Sequence, residues 1–169
     1  MSYLNKLKGD GAALAAKPSF KIAATASLGA FIAMAVVASL GEFSRYAVLF
    51  ASLGGSCVLA FGYPDAPFSQ PRSIIGGHVI SAIIGLGCLT VLGDAWWSMA
   101  IAVGLSVGAM MLSRTVHPPG GANPVAIFMV QPSWGFVLFP VLVGAIVVVL
   151  IAVLYNNATR EAKYPKYWF

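Results

Sequence analysis

Carboxylates are scarce in this chain, which has five in 169 residues: Asp10, Glu42, Asp65, Asp94 and Glu161. None lies inside a long apolar run, so paired acids for hydrolysis and the usual Asp or Glu proton relay of a membrane pump are not expected in its interior. Charge of either sign is sparse, at 9% of residues against roughly 25% in a soluble domain. A water-facing surface cannot be built from so little. The two cysteines, Cys57 and Cys88, both fall in apolar sequence, so no disulfide framework is indicated and the redox compartment stays open. The first twenty-one residues lack the short apolar core and cleavage site of a signal peptide, and insertion through the first span is expected. No Walker motif or Gly-rich nucleotide loop is present, so ATP-driven transport by this chain alone is not expected.

What the chain has is hydrophobic length. Apolar residues make up 59% and the mean hydropathy is +0.86. Charge-free runs cover Ile22 to Gly41, Tyr46 to Pro64, Ser73 to Gly93, Ala95 to Ser113 and Thr115 to Thr159, and a span needs about 20 apolar residues. The third and fourth runs are separated only by Gly93-Asp94-Ala95, which predicts a helical hairpin of antiparallel neighbours. The last run would be about 67 Å long as one helix, so it folds back, and Gln131-Pro132-Ser133-Trp134-Gly135 is the expected turn. The expected organisation is a basic tail over 1–21, a membrane domain over 22–155 and a second tail over 156–169.

Two pieces of the membrane domain are irregular and alike. Gly54-Gly55-Ser56-Cys57 with Val58-Leu59-Ala60-Phe61 parallels Gly120-Gly121-Ala122-Asn123 with Val125-Ala126-Ile127-Phe128, and each piece runs on to a Gln-Pro pair. The pattern predicts an internal duplication, 22–93 and 95–155, each half holding three segments with a broken middle one. Six crossings with the amino terminus inside place Lys6, Lys8, Lys17, Lys21, Arg72, Arg114, Arg160, Lys163 and Lys166 in the cytoplasm and only Arg45 outside. If the two irregular pieces re-enter instead, Arg45, Arg72 and Arg114 all fall outside and the bias weakens. The expected fold is therefore an all-α membrane protein of six transmembrane segments, with segments 2 and 5 broken, in an inverted 3+3 repeat. Such broken segments point to a transport site.

The most distinctive stretch is Arg114-Thr115-Val116-His117-Pro118-Pro119-Gly120-Gly121-Ala122-Asn123-Pro124. His117-Pro118-Pro119 and the residues after it resemble the HPP family of small integral membrane proteins. The resemblance implies a membrane protein associated with transport, some members from photosynthetic lineages being linked to nitrite. It also implies a soluble regulatory domain in some relatives, which this chain is expected to lack.

The residues suggest a site independently of that resemblance. Two prolines remove backbone donors and force the chain out of helix, Gly120 and Gly121 permit close backbone approach, and a short helix starting near Asn123 would turn N–H groups toward an anion. Gly54, Gly55 and Ser56 are the counterpart in the first half. His117 and His78 are the titratable candidates in the spans, each either a donor to substrate or a neutral ring bonded to a carbonyl. Arg114 either lines the cytoplasmic mouth or anchors a helix end, and Asn123 either caps the short helix or donates to substrate. No metal ligand set is formed by two histidines alone, and no cofactor is expected.

Small residues recur at four-residue spacing as Ser73, Gly77, Ser81 and Gly85 on one span and Ala100, Gly104 and Gly108 on the next, predicting close helix packing. Tyr164, Tyr167 and Trp168 with Lys163 and Lys166 read as an interface anchor. The function expected is a channel or secondary transporter for a small inorganic anion, nitrite first among them, in a bacterial inner membrane with both termini cytoplasmic. Lipid and further copies of the chain are the expected partners, and nucleic acid is not. The alternatives are an accessory subunit or, with Ser52, Ser56 or Ser113 beside His117, an intramembrane enzyme.

Overall fold

The computed structural model describes residue 7 and residues 11–41 and 49–169; Arg45, the one basic residue expected on the outer side, is not among them. Among the described residues the regular structure is all helical, with six α-helices and no strand. Helix α1, Phe20–Gly41, opens where Ser19 Oγ accepts the Ile22 N–H at 3.3 Å, an N-cap that satisfies a free amide of the first turn. Helix α2, Leu49–Cys57, runs into a π-helical turn, Val58–Gly62. Helix α3, Pro71–Leu92, begins with Pro71, whose missing N–H costs nothing there, and stops at Gly93, whose φ of 80° suits a residue without Cβ.

Helix α4, Trp96–Leu112, is capped by Ser113 and followed by Arg114, which adopts a left-handed φ of 56°. A 3-10 turn, Pro118–Ala122, leads directly into the eight-residue α5, Asn123–Val130. Gln131, at φ 46°, closes α5 ahead of Pro132, so the expected turn is where the sequence placed it. The last run is not one straight helix. It passes through Trp134–Val137 and Leu138–Leu142, where extended Phe139 precedes Pro140, before α6, Val143–Thr159. Among the described residues three stretches are long and apolar enough to cross a membrane: Phe20–Leu40, Pro71–Leu92 and Trp134–Thr159. The protein is an integral membrane protein.

Helix α3 is the hub. It packs against α4 as an antiparallel hairpin and against α5 and the Pro118–Ala122 turn, while α6 packs against α1. Its small-residue stripe faces inward. A Cβ on Gly77 would lie 2.6 Å from the His117 Cβ, and one on Gly85 would lie 3.0 Å from the Pro124 backbone. The second stripe behaves differently, because α4 turns Ser98, Ala102, Ser106 and Met110 inward and leaves Gly104 and Gly108 with no atom within 4 Å of a Cβ. The expected packing is thus made within the chain on α3, whereas Gly104 and Gly108 on α4 meet no neighbour among the described residues.

Polar ties join the segment ends in two groups. Arg72 donates to the Ser113 carbonyl at 2.8 Å and to the Arg114 carbonyl at 3.3 Å, and Arg160 and Lys166 pair with Asp65. At the opposite ends of α3 and α5, Gln131 Nε2 donates to Asp94 at 2.6 Å. The carboxy-terminal residues form a strap over the 63–70 connection. Tyr164 differs from the expected interface anchor: it is buried, and its hydroxyl donates to the Ser69 carbonyl at 2.6 Å. Burial pushes its phenol above the ordinary value. At Asp65 slight burial works upward, but the hydrogen bonds from Lys166 and Arg160 outweigh it and hold the carboxyl below its ordinary value.

Candidate functional site

Helix α2, the middle of α3 and the Pro118–Ala122 turn bring together a polar cluster within apolar surroundings. Ser56, His78, His117 and Asn123 are all 0% exposed. Ser56 Oγ lies 2.7 Å from His78 Nε2 and 2.8 Å from His117 Nε2, and the ring centroids are 5.0 Å apart. His117 Nδ1 lies 2.7 Å from the Phe68 carbonyl. Asn123 Nδ2 reaches His78 Nδ1 at 3.1 Å, the His78 carbonyl at 3.0 Å and Ser81 Oγ at 3.1 Å. Buried polar groups are tolerated only when bonded in this way.

The acceptors fix the hydrogens. A carbonyl can only accept, so His117 Nδ1 carries a proton toward Phe68 and, in a neutral ring, Nε2 presents a lone pair. Ser56 then donates to His117, and its oxygen accepts from His78 Nε2–H. His78 Nδ1 is left as an acceptor, matched by the Asn123 amide. The Asn123 side chain is oriented by the His78 carbonyl, which requires the NH2 group on that side. The result is one polarised chain running Asn123 to His78 to Ser56 to His117 to Phe68. Ser56 also lies 3.2 Å from the Ser52 carbonyl, a second acceptor for its hydroxyl.

Of the residues singled out in the sequence, Ser56, His78, His117 and Asn123 are in direct contact. Gly120 abuts the backbone of α3, where a Cβ would lie 2.9 Å from the Gly77 carbonyl oxygen, and a Cβ on Gly55 would lie 3.2 Å from the Pro119 ring. These two glycines let the pieces approach. Gly54 and Gly121 face open space, with nothing within 4 Å of a Cβ, and neither Gly120 nor Gly121 has positive φ. Arg114 is exposed at the end of α4, beyond the cluster. The anticipated helix start is present at Asn123, but its own N–H bonds back to the Gly120 carbonyl and its side chain makes no cap. The 3-10 turn therefore takes up an amide that the sequence reading had turned toward an anion.

Sequence reasoning missed three partners. Ser81 reads in the sequence as a packing residue, although its place three residues after His78 puts both on one helix face. The Phe68 and Ser52 carbonyls are backbone groups that no residue type betrays. Among the described residues no third His, Cys, Asp or Glu joins the two rings to make a metal-holding group.

Comparison with known proteins places the chain. It is 38% identical over 130 residues to one transmembrane protein of Dictyostelium discoideum and 33% identical over 129 residues to another, each match covering 72% of this chain. The matches cover 46% and 42% of those relatives, so the chain spans less than half the length of the curated relatives it matches. No solved structure matches it. The HPP transmembrane region matches residues 15–165, which include every member of the polar cluster, and the chain belongs to that family.

Proposed function

We propose that this protein is a channel or secondary transporter for a small inorganic anion, nitrite being the first candidate, with the Ser56–His78–His117–Asn123 cluster as the point its substrate must pass. The observation that carries this reading is the burial of four polar side chains around the middle of α3. His78 is the eighth and Ser81 the eleventh of its 22 residues, the depth at which a span's polar groups are expensive and tend to be functional. The single His78 ring reaches Ser56 from the first half of the chain and Asn123 from the second.

The six-crossing arrangement, with broken segments 2 and 5 and cytoplasmic termini, belongs to the same proposal. It is supported by the two groups of polar ties, one gathering Asp65, Arg72, Ser113 and Arg160, the other Asp94 and Gln131. The outward Gly104 and Gly108 favour further copies of the chain as neighbours in the bilayer. Nitrite, nitrate, formate and chloride flux into proteoliposomes holding the purified chain tests the reading. Nitrite entry above protein-free vesicles is expected, and no flux of any of the four would leave the accessory-subunit reading in its place.

One observation favours an enzyme as the second reading: Ser56 Oγ lies within 2.8 Å of two imidazole nitrogens, the distance of a nucleophile and its base. Covalent labelling of Ser56 by a fluorophosphonate would support it.

A further inference from the structure

The donors and acceptors of the cluster do not balance. Each hydrogen on nitrogen or oxygen has an acceptor: both Asn123 amide hydrogens among His78 Nδ1, the His78 carbonyl and Ser81 Oγ, His78 Nε2–H on Ser56, the Ser56 hydroxyl on His117, His117 Nδ1–H on Phe68, and the Ser81 hydroxyl on the Gly77 carbonyl at 2.7 Å. One atom is left over, Asn123 Oδ1, which is buried and has no partner among the described residues. A buried carbonyl-type oxygen without a donor is costly. It offers a ligand a lone pair, and the cluster offers no free hydrogen. A bare anion brought there meets a partial negative charge, whereas a molecule carrying its own O–H completes the set.

We propose that the site takes its substrate as the neutral conjugate acid, the acid O–H donating to Asn123 Oδ1, so that weak acids such as nitrous and formic acid pass and the anions of strong acids, nitrate and chloride, do not. This rests on the transport reading above and names the species transported. The proton enters and leaves with its own conjugate base, so the balance closes without an external coupling ion. Passage is electroneutral, and it follows the concentration of the undissociated acid. Among the described residues the titratable groups of the cluster are His78 on α3, bonded to Asn123, and His117 before the 3-10 turn, with buried Cys57 next to Ser56 in sequence on α2. Arg72, on α3, is engaged with the Ser113 and Arg114 carbonyls. None of these presents a fixed positive charge bonded to the cluster that would hold a bare anion.

The test has two arms on the purified full chain. In proteoliposomes, with protein-free vesicles as baseline, nitrite uptake is expected to fall about tenfold per pH unit raised, to carry no membrane current and to exceed nitrate uptake at every pH. In detergent, calorimetric binding of nitrite is expected to strengthen as pH falls while nitrate shows none, and Asn123→Leu is expected to abolish the nitrite signal. Nitrite and nitrate flux of equal size with a measurable current would leave the transport reading standing and overturn this inference. Binding that strengthens with acid in a chain that moves neither ion would overturn the transport reading and the passage inferred here with it, leaving acid-form binding at Asn123 alone. Should Asn123→Leu fail to fold, the wild-type current and the nitrate comparison still decide. Binding of neither ion at any pH would mean that Oδ1 serves a structural water only, and the inference falls.

Discussion

His117 holds its position through one backbone carbonyl and one hydroxyl, at 2.7 Å from Phe68 and 2.8 Å from Ser56. Removing the ring leaves both partners and a void, so His117→Ala is expected to lower stability by about 2–4 kcal/mol, measured by thermal unfolding in detergent. His117→Gln, with a donor and an acceptor on one side chain, is expected to recover most of the stability but not the flux. Recovery of both would assign the imidazole a structural role alone. The glycine pair beside it separates by environment. A Cβ on Gly120 meets the Gly77 backbone at 2.9 Å and cannot push it aside, so Gly120→Ala is expected to cost about 1–3 kcal/mol. Gly121 has open space, and Gly121→Val is expected to leave a monodisperse protein whose nitrite flux is lost. Full flux from that variant would show that substrate does not pass there. His117, Ser56 and Asn123 were legible because polar residues beside prolines and glycines stand out in apolar sequence. Their mutual bonding was not, since Ser56 and His117 are sixty-one positions apart and the acceptor that sets the tautomers is a main-chain oxygen.

The two small-residue stripes show what periodicity can and cannot predict at the scale of an element. Spacing marks a face that permits close approach, but it does not name the neighbour. On α3 that neighbour is the second half of the chain, as Gly77 against His117 and Gly85 against Pro124 show. On α4 the stripe turns away from the chain, and the packing face is offset to Ser98, Ala102 and Ser106. Gly85→Val is therefore expected to disrupt folding of the single chain, whereas Gly104→Val is expected to leave the monomer folded and shift light-scattering mass from oligomer to monomer. An unchanged mass would remove α4 as the contact between copies. The hairpin at Gly93 was readable because three residues allow one geometry, and the turn at Gln131 because forty-five uncharged residues exceed the bilayer. The inward turn of Tyr164 was not readable. Aromatic and basic residues after a span suit an interface equally well, and only the Ser69 carbonyl, ninety-five positions earlier, decides the matter.

For the molecule as a whole, all-helical membrane character follows from composition, and the order of segments follows from the length of the charge-free runs. How the two short irregular pieces lie in the bilayer depends on which ends share a face. Cysteines introduced at Phe68 and Ser133, and at Phe43 outside the described residues, report it: Phe68 is expected to label from the cytoplasmic side and the other two from outside, while Phe43 and Phe68 labelling from one side would establish re-entrant pieces. In the proposed function substrate passes the Ser56–His78–His117–Asn123 cluster. Ser56→Ala addresses it most directly, because it removes the hydroxyl joining both rings and touches nothing in the lipid-facing surface. Nitrite flux is to be measured in proteoliposomes for wild type and Ser56→Ala in parallel, with monodispersity of each preparation as the control. At least a tenfold loss of flux from monodisperse Ser56→Ala is expected, about 1.4 kcal/mol or more on the barrier. Undiminished flux from that variant would show that substrate does not pass the cluster.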